Sequence, residues 1–257
     1  MKIAVVASGW HYPAQFYEKV SQQKLPDGWE MEMFCVSHRD PKYAIEEKKD
    51  KVFSSERGYL DEKLYSSIIS IEEMEKLGWK YKEYPNTIGD WGCSNQWLED
   101  NNYKDYDLIL FTHDDNLILN DVWFKSVIID DSFPEWEVLA NSLGMPEGWI
   151  RGSCEFFKPS FIEKIGGKFD LSEVTTTREG MTDTPDGLEA IYDWNNTVHP
   201  LMNFINENEI KIGFLSPSYR VSLFVIEGER GYISNTHGMN TEKEDAGLKI
   251  LKDHGVI

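Results

Sequence analysis

The sequence YDLILFTHDDNLIL, residues Tyr106–Leu119, decides the fold. Residues Leu108–Phe111 form an unbroken apolar run, a pattern typical of a strand that is buried on both faces of a parallel sheet. Asp114 and Asp115 follow where that strand ends. Open α/β sheets bind ligands beyond the carboxyl ends of their strands. The stretch therefore predicts an α/β fold with a polar ligand site at the two aspartates.

The adjacent carboxylates also indicate what this site would hold. Two neighbouring carboxylates at a buried strand end are costly unless a cation or hydrogen-bond donors compensate them. Hard divalent cations such as Mg²⁺ and Mn²⁺ prefer oxygen ligands of this kind. The pair predicts a metal site. The alternative is a solvated acidic turn between two strands, because such pairs are common in acidic chains.

The charge balance limits the classes of partner. The 257 residues include 45 acidic and 26 basic side chains, a formal net charge of -19. So acidic a chain is poorly suited to bind nucleic acid or an anionic membrane surface, and we expect neither as a partner. An anionic substrate would need a metal ion or a local basic patch. Hydrophobic residues make up 40% of the chain, which is enough for a packed core.

Cysteine usage and the amino-terminal sequence indicate the cellular compartment of the protein. Cys35, Cys93 and Cys154 are far apart and lack the paired spacing of a zinc site, so we expect reduced, buried thiols. The chain enters a strand directly, without a signal-peptide pattern, and no apolar run approaches the roughly 18 residues of a membrane span. These features predict a cytoplasmic protein with no membrane span.

The first forty residues predict a β-α-β unit. Lys2–Ala7 and Met31–Val36 are apolar strands, and helical spacing between them runs through Phe16 and Val20 to Leu25. A right-handed crossover makes the two strands parallel, so the residues that follow them share one edge of the sheet. Doubly wound folds bind nucleotides at that edge, although GxGxxG and GxxxxGK[ST] motifs are both absent. The predicted nucleotide contacts there are Ala7, Ser8, Trp10 and Asp40. Asp40 could instead cap the turn before the proline that follows it.

Residues 41–80 have the composition of an insertion. A charged segment comes first and predicts a mobile loop. A short amphipathic helix near Ser70–Leu77 follows, in which Ser70 and Glu73 have the spacing of a capping box. The alternating residues Trp79–Tyr84 then predict a strand.

Residues 86–116 contain three motifs in order: Asn86 with Gly89, Gly92–Asn95 ending in an asparagine, and the apolar strand that leads to Asp114 and Asp115. Together these motifs resemble the inverting glycosyltransferases of the GT-A fold, especially family 2. Asn86 and Gly89 are similar to the Asn-x-Gly loop of that family, with one extra residue between them. Gly92–Asn95 resembles the following helix start with its Asn. Tyr106–Asn116 resembles the apolar strand that ends in a DxD-type motif, with His113 at the place of the first Asp. The resemblance covers about residues 1–120 and extends weakly beyond.

The resemblance implies an enzyme that moves a sugar from a nucleotide-diphosphate donor, UDP- or GDP-linked, to a hydroxyl of a glycan or other acceptor. The leaving diphosphate gains negative charge, which a divalent cation such as Mn²⁺ or Mg²⁺ would neutralise. By resemblance, Asp115 would bind the metal, and Asp114 would contact ribose or a metal-bound water. Asn86, Gly89 and Asn95 would contact the nucleotide sugar.

Two other functions fit the same fold. One is a sugar-phosphate nucleotidyltransferase, but the turn Ser8–Pro13 lacks the glycine-rich loop with Arg and Lys that such enzymes use. The other is a non-catalytic carbohydrate- or partner-binding protein.

The second half of the chain resembles the acceptor side of the family. Trp149–Phe157 is similar to the acceptor-side strand, and Pro159–Asp170 to a segment with a double glycine. Gly166 and Gly167 would also end a short helix, which explains them without any catalytic role. Arg151 is a candidate contact for the diphosphate or the acceptor, or else a member of a surface ion pair.

Catalysis with inversion requires a carboxylate that deprotonates the acceptor hydroxyl. The family usually supplies it from an Asp/Glu pair, and no ED dipeptide occurs in this region. The candidates are Asp186, at a junction between loop and helix, and Asp193, in the helix. His237 lies in a late loop, where many GT-A enzymes place a third metal ligand. It could equally be a surface histidine.

Together these patterns predict a single α/β domain over residues 1–257, of the GT-A type. We expect a mostly parallel central sheet flanked by helices, with a Rossmann-like amino-terminal half. Residues 1–120 would bind the nucleotide sugar, residues 121–240 would form the acceptor side, and residues 241–257 would form a carboxyl-terminal helix.

Overall fold

The structure is a computed structural model. It describes residues 1–38, 40–42, 44, 67–84, 89–114, 116, 118, 121–130, 135–140, 150, 154–172, 183–184, 187–188 and 194–215.

The described part of the chain forms a sheet with helices on both faces. Its strands are β1 (Lys2–Gly9), β2 (Glu30–Ser37), β3 (Trp79–Glu83), β4 (Leu108–His113), β5 (Val138–Ala140), β6 (Cys154–Phe157), β7 (Asp183–Thr184), β8 (Gly187–Leu188) and β9 (Ile212–Phe214). The α-helices are α1 (Ala14–Ser21), α2 (Ile71–Lys76), α3 (Gly89–Asp100), α4 (Trp123–Asp130), α5 (Pro159–Lys164) and α6 (Trp194–Glu207). A 3₁₀ turn, Tyr103–Asp105, precedes β4.

The main sheet is mostly parallel. Among the described residues its strand order is β3-β2-β1-β4-β6-β5-β9, and β7 pairs only with β8. Strand β1 lies parallel to both β2 and β4, β3 lies parallel to β2, and β9 lies parallel to β5. Only β6 runs antiparallel to its neighbours in this sheet, as far as the chain is described. The predicted α/β class with a mostly parallel sheet and flanking helices is confirmed.

Alternating side chains of the central strands build two cores. In β1, Val5 faces one core and Val6 the other; in β4, Leu110 and Phe111 divide in the same way. The first core includes side chains of α1, α2 and α4, among them Phe16, Met74 and Phe124. The second includes side chains of α3, α5 and α6, among them Trp97, Phe161 and Met202. Residues Leu108–Phe111 are at most 5% exposed, which confirms the predicted strand buried on both faces.

Local sequence signals set several element boundaries. Ser70 caps α2 in the predicted capping box: its hydroxyl accepts from the Glu73 amide, and the Glu73 carboxylate accepts from the Ser70 amide. Helix α1 ends at Ser21, so the predicted continuation to Leu25 is wrong. The predicted elements beyond residue 215 lie outside the described residues, and the division of the chain into halves stays a prediction.

Glu32 forms a polar cluster near the amino end of β2, at the opposite end of the sheet from the predicted site. Lys2 Nζ lies 2.6 Å and Lys80 Nζ 3.0 Å from its carboxylate oxygens, and the Tyr106 hydroxyl donates to it at 2.8 Å. These partners, Lys2 foremost, lower the pKa of Glu32 from 4.5 to about 2.

We predict that this cluster makes stability depend on pH in acid. Because the folded-state pKa lies below the unfolded value, the stabilisation is complete above about pH 4.5 and is lost as the pH falls toward 2. The Glu32 side chain is 30% exposed, so solvent screening limits the effect to about 1 kcal/mol. Urea unfolding of wild type and Glu32→Gln at pH 6 and pH 3 should show a stability gap that narrows in acid. A gap that stays constant with pH would contradict the assignment.

The three cysteines are free and buried, as the sequence predicted. Within the described ranges, no helix is long and apolar enough to cross a membrane.

Candidate functional site

The carboxyl ends of three neighbouring strands meet at one edge of the sheet. In the register of the sheet, Ser8 of β1 lies opposite Val36 of β2 and His113 of β4, and Gly9 lies opposite Ser37. The loop after β1 and the turn after β4 therefore begin side by side. This is the edge at which the sequence predicted a nucleotide site.

Asp114, immediately after β4, is bonded to the loop after β1. Its carboxylate accepts hydrogen bonds from the backbone amides of Trp10 at 2.9 Å, His11 at 3.0 Å and Tyr12 at 2.7 Å. The Tyr17 hydroxyl donates to the same carboxylate at 3.2 Å. Asp114 is 1% exposed. A carboxylate loses its hydrogen bonds to water when it is buried, and these four donors replace those bonds. The predicted contact with ribose stays a prediction; the described geometry commits the side chain to the loop.

Tyr12 links this loop to the end of β2. Its hydroxyl makes a hydrogen bond with the Ser37 hydroxyl, and Ser37 Oγ in turn donates to the Gly9 carbonyl at 3.0 Å. A Cβ atom at Gly9 would come within 2.7 Å of Cys35 Sγ, so the chain passes too close there for a larger residue. Burial raises the pKa of both Tyr12 and Tyr17 well above the ordinary range, so both phenols stay protonated donors.

Neither tyrosine carried a signal for the site in the sequence. Both resemble core aromatics at helical spacing, and both are buried. Their polar roles depend on how the loop returns over Asp114, which a linear pattern does not record.

His38 follows β2 and contacts α3. Its Nε2 donates to Gln96 Oε1 at 2.9 Å, and Cys93 Sγ lies 3.6 Å from the same nitrogen. The imidazole is 6% exposed. These contacts attach the end of β2 to α3, a helix of the second core.

Asn95 of α3 holds the segment after α5. Its Nδ2 donates to the Phe169 carbonyl at 3.0 Å, and its Oδ1 accepts from the Phe169 amide at 2.8 Å. Gly166 and Gly167, with φ of +81° and +86°, turn the chain back toward α3. The helix-terminal role predicted for the two glycines is confirmed. A contact of Asn95 with a nucleotide sugar stays a prediction.

We predict that Asn95→Ala lowers the free energy of unfolding by about 1–3 kcal/mol, because both backbone polar groups of the buried Phe169 lose their partner. Asn208→Ala is the matched control. Asn208 Nδ2 also donates to a backbone carbonyl, that of Phe204, at 2.9 Å, but at an exposed position where water can replace it. We expect the control to change stability by less than about 0.5 kcal/mol in the same urea titration. Equal losses would contradict the role given to Asn95.

Other predicted nucleotide contacts lie at or near the edge. Ser8 and Trp10 are half-buried, whereas Ala7 is fully buried and paired with both neighbouring strands. Asp40 Oδ1 accepts from the Lys42 amide at 2.8 Å, a turn-capping contact, and its contact with a nucleotide stays a prediction. Gly89 is the first residue of α3.

Glu155 is a buried carboxylate that the sequence did not single out. It lies in β6 opposite Phe111 and Ala140, is 1% exposed, and accepts from the Cys154 amide at 2.9 Å. Its position near the start of an antiparallel strand brings it toward the same edge of the sheet.

Several predicted site residues lie outside the described part of the chain. They are Asn86, Asp115, Arg151, Asp186, Asp193 and His237. Among the residues that are described, no three His, Cys, Asp or Glu side chains come together as a metal site.

No family model matches the chain, and no curated protein matches it. Several solved structures are similar to the chain in fold. S. aureus TarS is 16% identical, with a TM-score of 0.49 over 84% of this chain and 35% of that one. A mannosyltransferase from Pyrobaculum calidifontis, in complex with GDP-Man and Mn²⁺, is 13% identical, with a TM-score of 0.45 over 90% of this chain and 58% of that one.

These neighbours are glycosyltransferases of the GT-A type. A further one is Drosophila β-1,4-galactosyltransferase 7, in complex with manganese, UDP-Gal and xylobiose, at 11% identity and a TM-score of 0.46 over 95% of this chain and 79% of that one. A cytidylyltransferase from Leptospira borgpetersenii is also similar, at 11% identity and a TM-score of 0.44 over 99% of this chain and 94% of that one. The chain spans 35% and 58% of the first two glycosyltransferases. At TM-scores below 0.5 these likenesses carry no argument about activity, which has to come from the site itself.

Proposed function

We propose that the protein is a metal-dependent glycosyltransferase that moves a sugar from a nucleoside-diphosphate donor to a hydroxyl acceptor. One observation carries the proposal: the loop after β1 is fastened to the turn after β4 by Asp114. This contact gives a fixed backbone to the strand edge at which α/β sheets bind nucleotides. Asp115, the proposed metal ligand, is the next residue in the sequence after Asp114.

In this proposal Asp115 and His237 hold a divalent cation. A carboxylate oxygen and a neutral imidazole nitrogen suit Mn²⁺, and the carboxylate also suits Mg²⁺. When bound, the ion supplies positive charge that neutralises the diphosphate leaving group.

The remaining residues bind and orient the two substrates. The half-buried Ser8 and Trp10 at the end of β1 would lie against the nucleoside, and Arg151 would contact the diphosphate or the acceptor. Asn86 and Gly89, before and at the start of α3, would complete the nucleotide-sugar side.

Asp186 or Asp193 would remove the proton from the acceptor hydroxyl. The acceptor oxygen then forms a bond to the anomeric carbon while the bond from that carbon to the diphosphate oxygen breaks, which inverts the configuration. Loss of activity in only one of Asp186→Asn and Asp193→Asn would identify the base.

Product analysis tests the reaction class. Purified protein is incubated with Mn²⁺, UDP- or GDP-linked sugars and a panel of glycan acceptors, and phosphorus and proton NMR follow the products. The proposal expects a free nucleoside diphosphate and a new glycosidic bond in equal amounts. Pyrophosphate released from a nucleoside triphosphate and a sugar phosphate would identify a nucleotidyltransferase instead. Glycan binding that is indifferent to EDTA, with no turnover, would identify a binding protein.

A further inference from the structure

Three consecutive backbone amides after β1 point at one carboxylate. The amides of Trp10, His11 and Tyr12 lie 2.9, 3.0 and 2.7 Å from Asp114 Oδ2, and the His11 amide lies 3.2 Å from Oδ1. Successive amides that converge in this way form a concavity suited to an anion, called a nest. Here the anion is a side chain of the protein itself, from a residue about a hundred positions along the chain.

The backbone of this nest needs a compensating interaction. Tyr12 has a φ of +55°, in the left-handed region that a residue with a side chain seldom adopts. The next residue, Pro13, is the N-cap of α1. The unfavourable conformation at Tyr12 therefore sets the direction in which the loop enters the helix, and the bonds to Asp114 offset its cost.

The nest is already filled. Asp114 is 1% exposed, and its carboxylate also accepts from the Tyr17 hydroxyl, which comes from within α1. A phosphate of a ligand could use these amides only by displacing the carboxylate. The charge of a diphosphate would therefore be met elsewhere at the edge.

We propose that Asp114 is a positioning residue, a built-in anion that fixes the loop Trp10–Tyr12 in the shape a nucleotide requires, without touching the nucleotide itself. The inference rests on the proposed function, which supplies the nucleotide. It replaces the ribose contact that the sequence predicted for Asp114. The hydrogen bond from Tyr12 to Ser37 carries the same constraint to the end of β2, so one carboxylate orders the ends of three strands.

The test compares Asp114→Asn with Asp107→Asn. Asp107 precedes β4 at its other end and accepts from the Lys2 amide at 2.7 Å, so it is a matched contact from a carboxylate to a β1 amide far from the site. Hydrogen exchange without ligand measures the protection of the three loop amides. Titration with UDP and GDP in Mn²⁺ measures nucleotide affinity. We expect Asp114→Asn to lower protection at the three amides by about tenfold or more, and to weaken nucleotide binding by a similar factor. Asp107→Asn should leave both unchanged.

A rescue experiment separates the anion from the side-chain shape. Asp114→Gly opens the nest, and formate is a carboxylate small enough to enter it. Added formate should restore protection and nucleotide affinity, whereas chloride at the same ionic strength should not. If formate restores neither, the built-in anion is not what fixes the loop, and the proposal is overturned.

The outcomes distinguish this inference from the proposed function. Full protection in Asp114→Asn with lost nucleotide affinity would mean a direct ligand contact and would overturn the inference. If wild-type protein binds no nucleotide, the proposed function fails, while exchange at the three amides still decides whether Asp114 holds the loop. Should neither Asp114 variant fold, Tyr17→Phe removes one donor to the same carboxylate and is expected to lower protection about threefold. Unchanged protection would overturn the inference.

Discussion

Trp97→Ala is expected to lower the free energy of unfolding by about 3–5 kcal/mol. Trp97 lies in α3 and is 1% exposed. Its ring centroid lies 5.4, 5.6 and 5.8 Å from those of Phe34, Tyr106 and Phe111, so it joins α3 to β2 and β4. Truncation to Ala removes these contacts and leaves a cavity between layers that cannot fully close. Urea unfolding followed by circular dichroism measures the loss.

Trp97→Phe is the control that separates packing from hydrogen bonding. The indole N–H of Trp97 is buried, with no acceptor among the described residues. Phe keeps an aromatic ring in the contact and removes a donor that has no partner, so its cost should be about 1 kcal/mol. A loss as large as that of Trp97→Ala would contradict this account, because the aromatic ring that Phe retains would then contribute nothing to stability.

Asp115→Asn is expected to reduce sugar transfer by a factor on the order of 100 or more while the fold is retained. The substitution keeps the shape of the side chain but removes the charge that the proposed cation needs. Circular dichroism and the midpoint of thermal unfolding establish that the variant is folded, and initial rates of nucleoside diphosphate release measure transfer.

Asp121→Asn, six positions further along the sequence than Asp115, controls for the loss of one negative charge. Asp121 is half exposed and its carboxylate lies 2.7 Å from Lys24 Nζ, an ion pair of the surface. We expect its transfer rate to stay within about twofold of wild type. A comparable loss in both variants, or none in Asp115→Asn, would contradict a metal-binding role for Asp115.

The sequence predicted those features that depend on local pattern. The apolar run Leu108–Phe111 identified the central strand, because burial on both faces leaves no room for polar side chains. The spacing of Ser70 and Glu73 identified a capping box, because both partners lie within one helical turn. The parallel pairing of β1 and β2 followed from the crossover rule.

Features that depend on distant parts of the chain were not predictable in this way. The pattern in 154–157 indicates a strand but not that β6 runs antiparallel between β4 and β5. Asp114 and Asn95 carried the right residue types for ligand contacts, yet both bond backbone groups, which lie 102 to 104 positions away for Asp114 and 74 positions away for Asn95. A carboxylate or an amide bonds whichever donors the fold brings to it, and only the path of the chain determines which those are.

Calorimetric titration of UDP and GDP into the protein, in Mn²⁺ and again in EDTA, tests the central claim most directly. The account predicts that at least one of the two nucleotides binds in Mn²⁺, and that its affinity falls about tenfold or more in EDTA and in Asp115→Asn. Nucleotide binding of equal strength in EDTA, or no binding of either nucleotide under any condition, would contradict a metal-dependent glycosyltransferase.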